Sequence, residues 1–277
     1  MSDRRTGTAA GVPYLAVPPP EGTENPGLVA VLHGLDHPNS EETMAATLPL
    51  QDVPAWRVYL GLPMSGKRSP EGGSEEIMRR ASEDALMNVQ APVMEQAAEE
   101  LPRAIEDLRR QLGVEDDAKV ALVGTSAGAG AILKALADSD VPVHAVALIN
   151  PVSTARAAIE AGERAFDMEY EWTDERNAKA DELDFVRRAG EIAARDGQPA
   201  ILILQGEDDD DAFVRSSDEL EQALSKEYRN PDHVWLTKVK GLAHSLGATP
   251  DVEKEPSNAA ATYVDSEVRG LLARHLV

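Results

Sequence analysis

The chain has 277 residues, 42% of them hydrophobic, enough for one large core or two small ones. Its 27 Lys and Arg against 49 Asp and Glu leave a net charge of −22, a surface that repels phosphate backbones and anionic lipid, so neither nucleic acid nor a membrane surface is an expected partner. Cysteine is absent, which excludes disulfides, a thiol nucleophile and thiolate metal sites.

The first twenty residues, "MSDRRTGTAAGVPYLAVPPP", carry two arginines but no apolar run of signal-peptide length. No segment approaches the roughly 18 continuous apolar residues that span a bilayer, so a cytoplasmic protein is expected. Within this stretch "YLAV" (14–17) is a weak strand candidate suited to a sheet edge. Short β-branched runs then alternate with longer helical patterns, as in a mostly parallel sheet with crossover helices. The strands are predicted at 28–34 ("LVAVLHG"), 56–62, 119–125 ("KVALVGT"), 144–150, 200–206 ("AILILQG") and 233–239. Most are near-continuous apolar runs, as expected of strands covered on both faces. Helices are predicted at 99–113, where Leu101, Ile105, Leu108 and Leu112 share a face and Gly113 stops the run, from Ser126 onward, at 216–228 and at 257–275. Two stretches, 64–95 and 151–185, fit neither pattern. Both follow strand ends, where lids and pocket walls sit, and both also fit plain surface excursions.

Residues 120–133, "VALVGTSAGAGAIL", lead a strand through Gly124, Ser126 and Gly128 into a helix. This is the context of a nucleophile elbow, in which small flanking residues let strand and helix pass closely and the serine hydroxyl stands at a helix N-terminus. A serine hydroxyl is a weak nucleophile and needs a base. His144 and His233 begin strands, on the wrong edge of a parallel sheet, and His275 ends the last helix. His244, in "KGLAHSLG", follows the last strand on a glycine-flanked loop at the right edge and is the best base. The acid that orients it is expected after the strand 200–206, among Glu207, Asp208, Asp209, Asp210 and Asp211. An oxyanion hole needs two backbone N–H donors. One follows the nucleophile, Ala127, and the other belongs to the loop after 28–34, at Leu35.

"HGL" (33–35), "GTSAG" (124–128), "GEDD" (206–209) and "GLAH" (241–244), in that order, make most of the chain resemble the α/β-hydrolase superfamily, in its serine-esterase-like branch. The resemblance implies a single domain over 1–277, an α/β fold with a mostly parallel, predominantly eight-stranded sheet and helices on both faces. It implies hydrolysis of esters, thioesters, amides or peptides without a cofactor, and it places the acid three residues past Gly206, at Asp209. The expected activity is a carboxylic ester hydrolase acting on a small-molecule ester through Ser126, Asp209 and His244, with amide or peptide cleavage and a non-catalytic binding protein as the rivals. Little room precedes residue 28 for the superfamily's first two strands, which points to a reduced sheet edge. Substrate identity and oligomeric state are not readable.

Overall fold

A computed structural model describes residues 4–247 and 258–276; residues 1–3, 248–257 and 277 lie outside it. Eight strands form one sheet: β1 (Arg5–Ala9), β2 (Val12–Val17), β3 (Gly27–Leu32), β4 (Ala55–Leu60), β5 (Val120–Thr125), β6 (Ala145–Ile149), β7 (Ala200–Gly206) and β8 (Val234–Val239). The helices are α1 (Glu41–Thr47), α2 (Gly73–Ala85), α3 (Ala91–Leu112), α4 (Ser126–Asp138), α5 (Ala155–Phe166), α6 (Asp174–Glu182), α7 (Ala189–Ala193), α8 (Asp211–Glu227) and α9 (Asn258–His275). The spatial order is β1-β2-β4-β3-β5-β6-β7-β8, with β3 to β8 parallel and β2 antiparallel to both β1 and β4.

The continuous apolar runs have a simple origin. On β3, Leu28, Ala30 and Leu32 pack with α3 and α4, while Val29 and Val31 pack with Met44 of α1 and Val268 and Leu272 of α9. β7 divides in the same way, with Ile201 and Ile203 on one face and Leu202 and Leu204 on the other. A strand covered on both faces keeps no polar side.

The sheet edge is not reduced. Ala10 and Gly11, both at positive φ, close a two-residue turn that fits two antiparallel strands into 13 residues. "YLAV" therefore lies inside the sheet, in β2, and β1 takes the edge. Tyr14 Oη donates to Gln111 Oε1 at 2.9 Å and the Ala10 N–H donates to Asp107 Oδ2 at 2.7 Å, tying the hairpin to α3. The helix predicted at 216–228 begins earlier, at Asp211, because Asp210 caps it by accepting the Ala212 N–H. Residue 257, the expected start of the last helix, lies outside the described residues.

Both unassigned stretches are helical. The first holds α2 and the turn of π-helix Leu86–Gln90 that runs into α3, and the second holds α5 and α6. They are tied together: Asp84 accepts from Tyr170 Oη and from Arg176 Nε (2.7 Å), and Lys179 reaches Glu95 at 2.7 Å. Arg176 also lies over the Tyr170 ring, 4.9 Å from its centroid. Among the described residues no helix is long and apolar enough to cross a membrane.

Candidate active site

Ser126 sits where β5 ends and α4 begins, with φ +49. A non-glycine residue in the left-handed region costs free energy and persists only where its surroundings hold it. The small neighbours are sterically required. A Cβ on Gly124 would lie 2.7 Å from the Ala129 nitrogen, one on Gly128 would lie 2.3 Å from the His33 carbonyl oxygen, and one on Gly130 would lie 2.5 Å from Met94 Cε. The elbow is thus wedged between the β3 loop and α3: backbone atoms leave no room for a Cβ at Gly124 and Gly128, and at Gly130 the Met94 side chain would have to move aside.

Ser126 Oγ lies 2.9 Å from His244 Nε2. His244 Nδ1 lies 3.1 Å from each carboxylate oxygen of Asp209, whose side chain is fully buried. Asp209 Oδ2 also accepts from Gln205 Nε2 (2.9 Å) and Oδ1 from the Asp210 N–H (2.7 Å). An ionised carboxylate only accepts, so Nδ1 carries the imidazole proton and Nε2 presents its lone pair to the serine hydroxyl. The neighbouring carboxylates are turned to other tasks. Asp210 pairs with Arg164, Nε to Oδ2 at 2.9 Å, and that guanidinium holds its carboxyl below the usual range. Asp208 is exposed and takes part through its N–H, which donates to the Leu242 carbonyl at 3.1 Å.

The histidine loop is held by groups that do not stand out in the sequence. Asn150, fully buried at the end of β6, accepts the Gly206 N–H on Oδ1 at 2.7 Å and donates from Nδ2 to the Ala243 and His244 carbonyls at 2.7 and 2.9 Å. It therefore staples the loop to the end of β7. The loop passes so close to that strand that a Cβ on Gly206 would lie 2.1 Å from the Leu242 carbonyl oxygen. Phe213, in the first turn of α8, stacks on the His244 ring, with centroids 4.2 Å apart and planes at 24°. A polar residue closing an apolar strand at the site's edge was the only sequence signal for Asn150, and Phe213 had none.

On the other side of the serine lies the loop after β3. A Cβ on Gly34 would lie 3.2 Å from Ser126 Cβ, so the backbone leading into Leu35 runs against the elbow. His33 fixes this turn: its Nδ1–H donates to the Gly34 carbonyl at 2.8 Å and its Nε2 accepts the Leu62 N–H at 3.1 Å. Burial pushes this imidazole below its usual range, so it stays a neutral structural link between β3 and β4. Ala127 lies in the first turn of α4, where backbone N–H groups have no intrahelical acceptor. Leu35, half-buried, is the next residue along the loop. Among the described residues no group of three His, Asp or Glu is placed to hold a metal ion.

A family model matches residues 94–265, a span that runs from α3 through the serine, the acid and the histidine to α9, and its description is the prolyl oligopeptidase family. The chain belongs to the prolyl oligopeptidase family. It is a serine hydrolase with the α/β-hydrolase fold. Solved structures similar to this family member include TT1662 from Thermus thermophilus, with a TM-score of 0.63, 18% identity and 98% of each chain covered. A puromycin-hydrolyzing peptidase of Mycobacterium tuberculosis gives 0.66 at 18% identity over 99% of this chain. An esterase/lipase from an uncultured bacterium gives 0.57 at 16% identity over 98% of this chain and 85% of its own. At such identities the likeness is one of fold. This chain spans 39% of the length of the Mycobacterium peptidase. Among curated proteins no sequence matches.

Proposed function

We propose that the protein hydrolyses small carboxylic esters through an acyl-enzyme on Ser126. The observation that carries this reading is the unbroken relay from Ser126 Oγ to His244 Nε2 and from His244 Nδ1 to Asp209. His244 takes the hydroxyl proton as Oγ bonds to the ester carbonyl carbon, and the resulting imidazolium is stabilised by buried Asp209. When the tetrahedral intermediate collapses, the C–O bond breaks and His244 returns the proton to the departing alkoxide. Water then repeats the sequence on the acyl-serine, releasing the carboxylic acid. The N–H groups of Ala127 and Leu35 receive the carbonyl oxygen as it gains charge.

A second reading, cleavage of amides or peptides by the same groups, is favoured by the family match and by the peptidases among the similar folds. The two readings differ in the leaving group. An alkoxide leaves more readily than an amine, which must be protonated as it departs, so a site able to cleave amides also cleaves activated esters. A series of p-nitrophenyl esters of increasing acyl length, run beside the matching p-nitroanilides, separates them. Turnover of the short esters with anilide rates at background supports the esterase, comparable kcat/KM on both moves the assignment to a peptidase, and no turnover of either removes both.

The oxyanion donors give a second test. Because the donor at residue 35 is a backbone N–H, Leu35→Ala is expected to keep the rate and Leu35→Pro to lower it by about 10²–10³. The assay is kcat/KM on the best ester, with circular dichroism to show that the proline variant is folded. A folded proline variant of normal activity would move the oxyanion hole elsewhere.

A further inference from the structure

The opposite edge of the sheet carries a second cluster. Where β5, β6, β7 and β8 begin, a cleft of about 610 Å³ is lined by Lys119, His144, Arg195, His233, Arg274 and His275. Three of the protein's six histidines converge there. Asp140 and Asp196 are the carboxylates on its wall. In a chain with an excess of 22 negative charges, this is an inversion of the prevailing sign. Neither Arg195 nor Arg274 has a carboxylate in ion-pair reach among the described residues, although most arginines of the protein do. Arg195 spends its guanidinium on the carbonyls of Leu136, Ser139 and Val141, and its buried Nε has no hydrogen-bond partner among the described residues. Arg274 lies 5.8 Å from the Trp235 ring centroid. Asp140 attracts Arg195 through space, but among the described residues no salt bridge engages either arginine.

We propose that this cleft binds a small, multiply charged oxyanion, a phosphate ester chain or a polycarboxylate. Its volume lies in the range of sites for small ligands, and arginine with imidazole donors is suited to oxyanion recognition. His144 Nδ1 accepts the Val120 N–H at 3.3 Å, which puts the ring proton of this lining residue on Nε2. The remote negative charges do not forbid binding. At physiological salt they are screened beyond about 8 Å, whereas the lining cations lie within contact distance of a ligand. A metal ion is not the fitting occupant. The His233 and His275 rings are 6.4 Å apart between centroids, and among the described residues no three ligating side chains are grouped around one point. The cleft and the serine stand at opposite ends of the same strands, about 20 Å apart at roughly 3.3 Å per residue.

The imidazoles make the affinity depend on pH. Burial, Arg274, His233 and Lys119 hold His275 below its usual range, and burial, Lys119 and Arg109 do the same for His144. A bound polyanion reverses the repulsive part of both effects. Binding is therefore coupled to proton uptake and strengthens as pH falls.

The test is isothermal titration of the full-length protein with sodium tripolyphosphate and, separately, citrate at constant ionic strength. The expected result is saturable one-site binding at about pH 6 that weakens at least about tenfold at about pH 8, with net proton uptake in buffers of different ionisation enthalpy. Tripolyphosphate binding in preference to citrate identifies phosphate as the carrier, and the reverse order identifies carboxylate. Arg274→Gln, on the exposed last turn of α9, and His275→Gln should each weaken binding about tenfold while circular dichroism stays unchanged. Absence of saturable binding of either anion at about pH 6, an affinity indifferent to pH, or an affinity unchanged in both variants would overturn the proposal.

Discussion

Replacing Ser126 by alanine is expected to lower turnover on any ester substrate by a factor on the order of 10⁶, because removing a relay nucleophile costs about as much as removing the whole relay. The substitution deletes one oxygen atom. Alanine carries the same Cβ into the same left-handed backbone position, so the strain at φ +49 is unchanged. The hydrogen bond lost is to a histidine whose side chain retains about a fifth of its exposure, so water can serve its Nε2 instead. The melting temperature should therefore stay near that of the parent while activity disappears. A residual rate above the uncatalysed reaction, owed to the oxyanion donors, is compatible with this picture. Labelling by a fluorophosphonate probe should vanish in the same variant. Near-normal turnover by a folded Ser126→Ala protein would remove the acyl-enzyme on this residue.

How far the sequence could be read follows from what each residue does. The five inner strands β3 to β7 were legible because burial on both faces forces a largely apolar run, as in "AILILQG" of β7, and β8, the half-buried opposite edge, still kept enough apolar residues to be read. β1, "RTGTA", was not, because an edge strand with four exposed side chains is held by backbone pairing that leaves no mark in hydropathy. The same omission made "YLAV" look like an edge. At the site, the elbow was legible because local sterics dictate its glycines, and each of them does face an atom that a Cβ would strike. Asn150 was not, because its role depends on two carbonyls more than ninety residues away along the chain. The acidic run stood between these cases. Five consecutive acidic residues announce a carboxylate near the histidine, but which one turns inward is set by the path of the loop past Gly206.

The path of that loop makes Asp209→Asn the most discriminating variant, with an expected loss of about 10⁴ in kcat and little change in KM. The carboxylate now receives three donors: the His244 Nδ1–H, the Gln205 side chain on Oδ2 and the Asp210 N–H on Oδ1. An asparagine must place its NH₂ on one side. On the Oδ1 side it meets the Asp210 N–H, donor against donor. On the Oδ2 side it meets Gln205 Nε2, and relief requires Gln205 to flip, which turns its amide nitrogen toward Ser217 Oγ in place of the oxygen that now accepts at 2.7 Å. In either placement the NH₂ also faces His244 Nδ1 and favours the tautomer that accepts there. The proton then moves to Nε2, and the imidazole no longer offers a lone pair to Ser126. Asp210→Asn should cost less than about tenfold, since asparagine caps α8 as well as aspartate does and only the ion pair with Arg164 is lost. Asp208→Asn should be close to silent, because the exposed side chain is replaced while its N–H keeps the bond to Leu242. Steady-state kinetics of the three variants on one ester decides the matter: a crippled Asp208→Asn or Asp210→Asn beside a nearly normal Asp209→Asn would pass the orienting role to a neighbour.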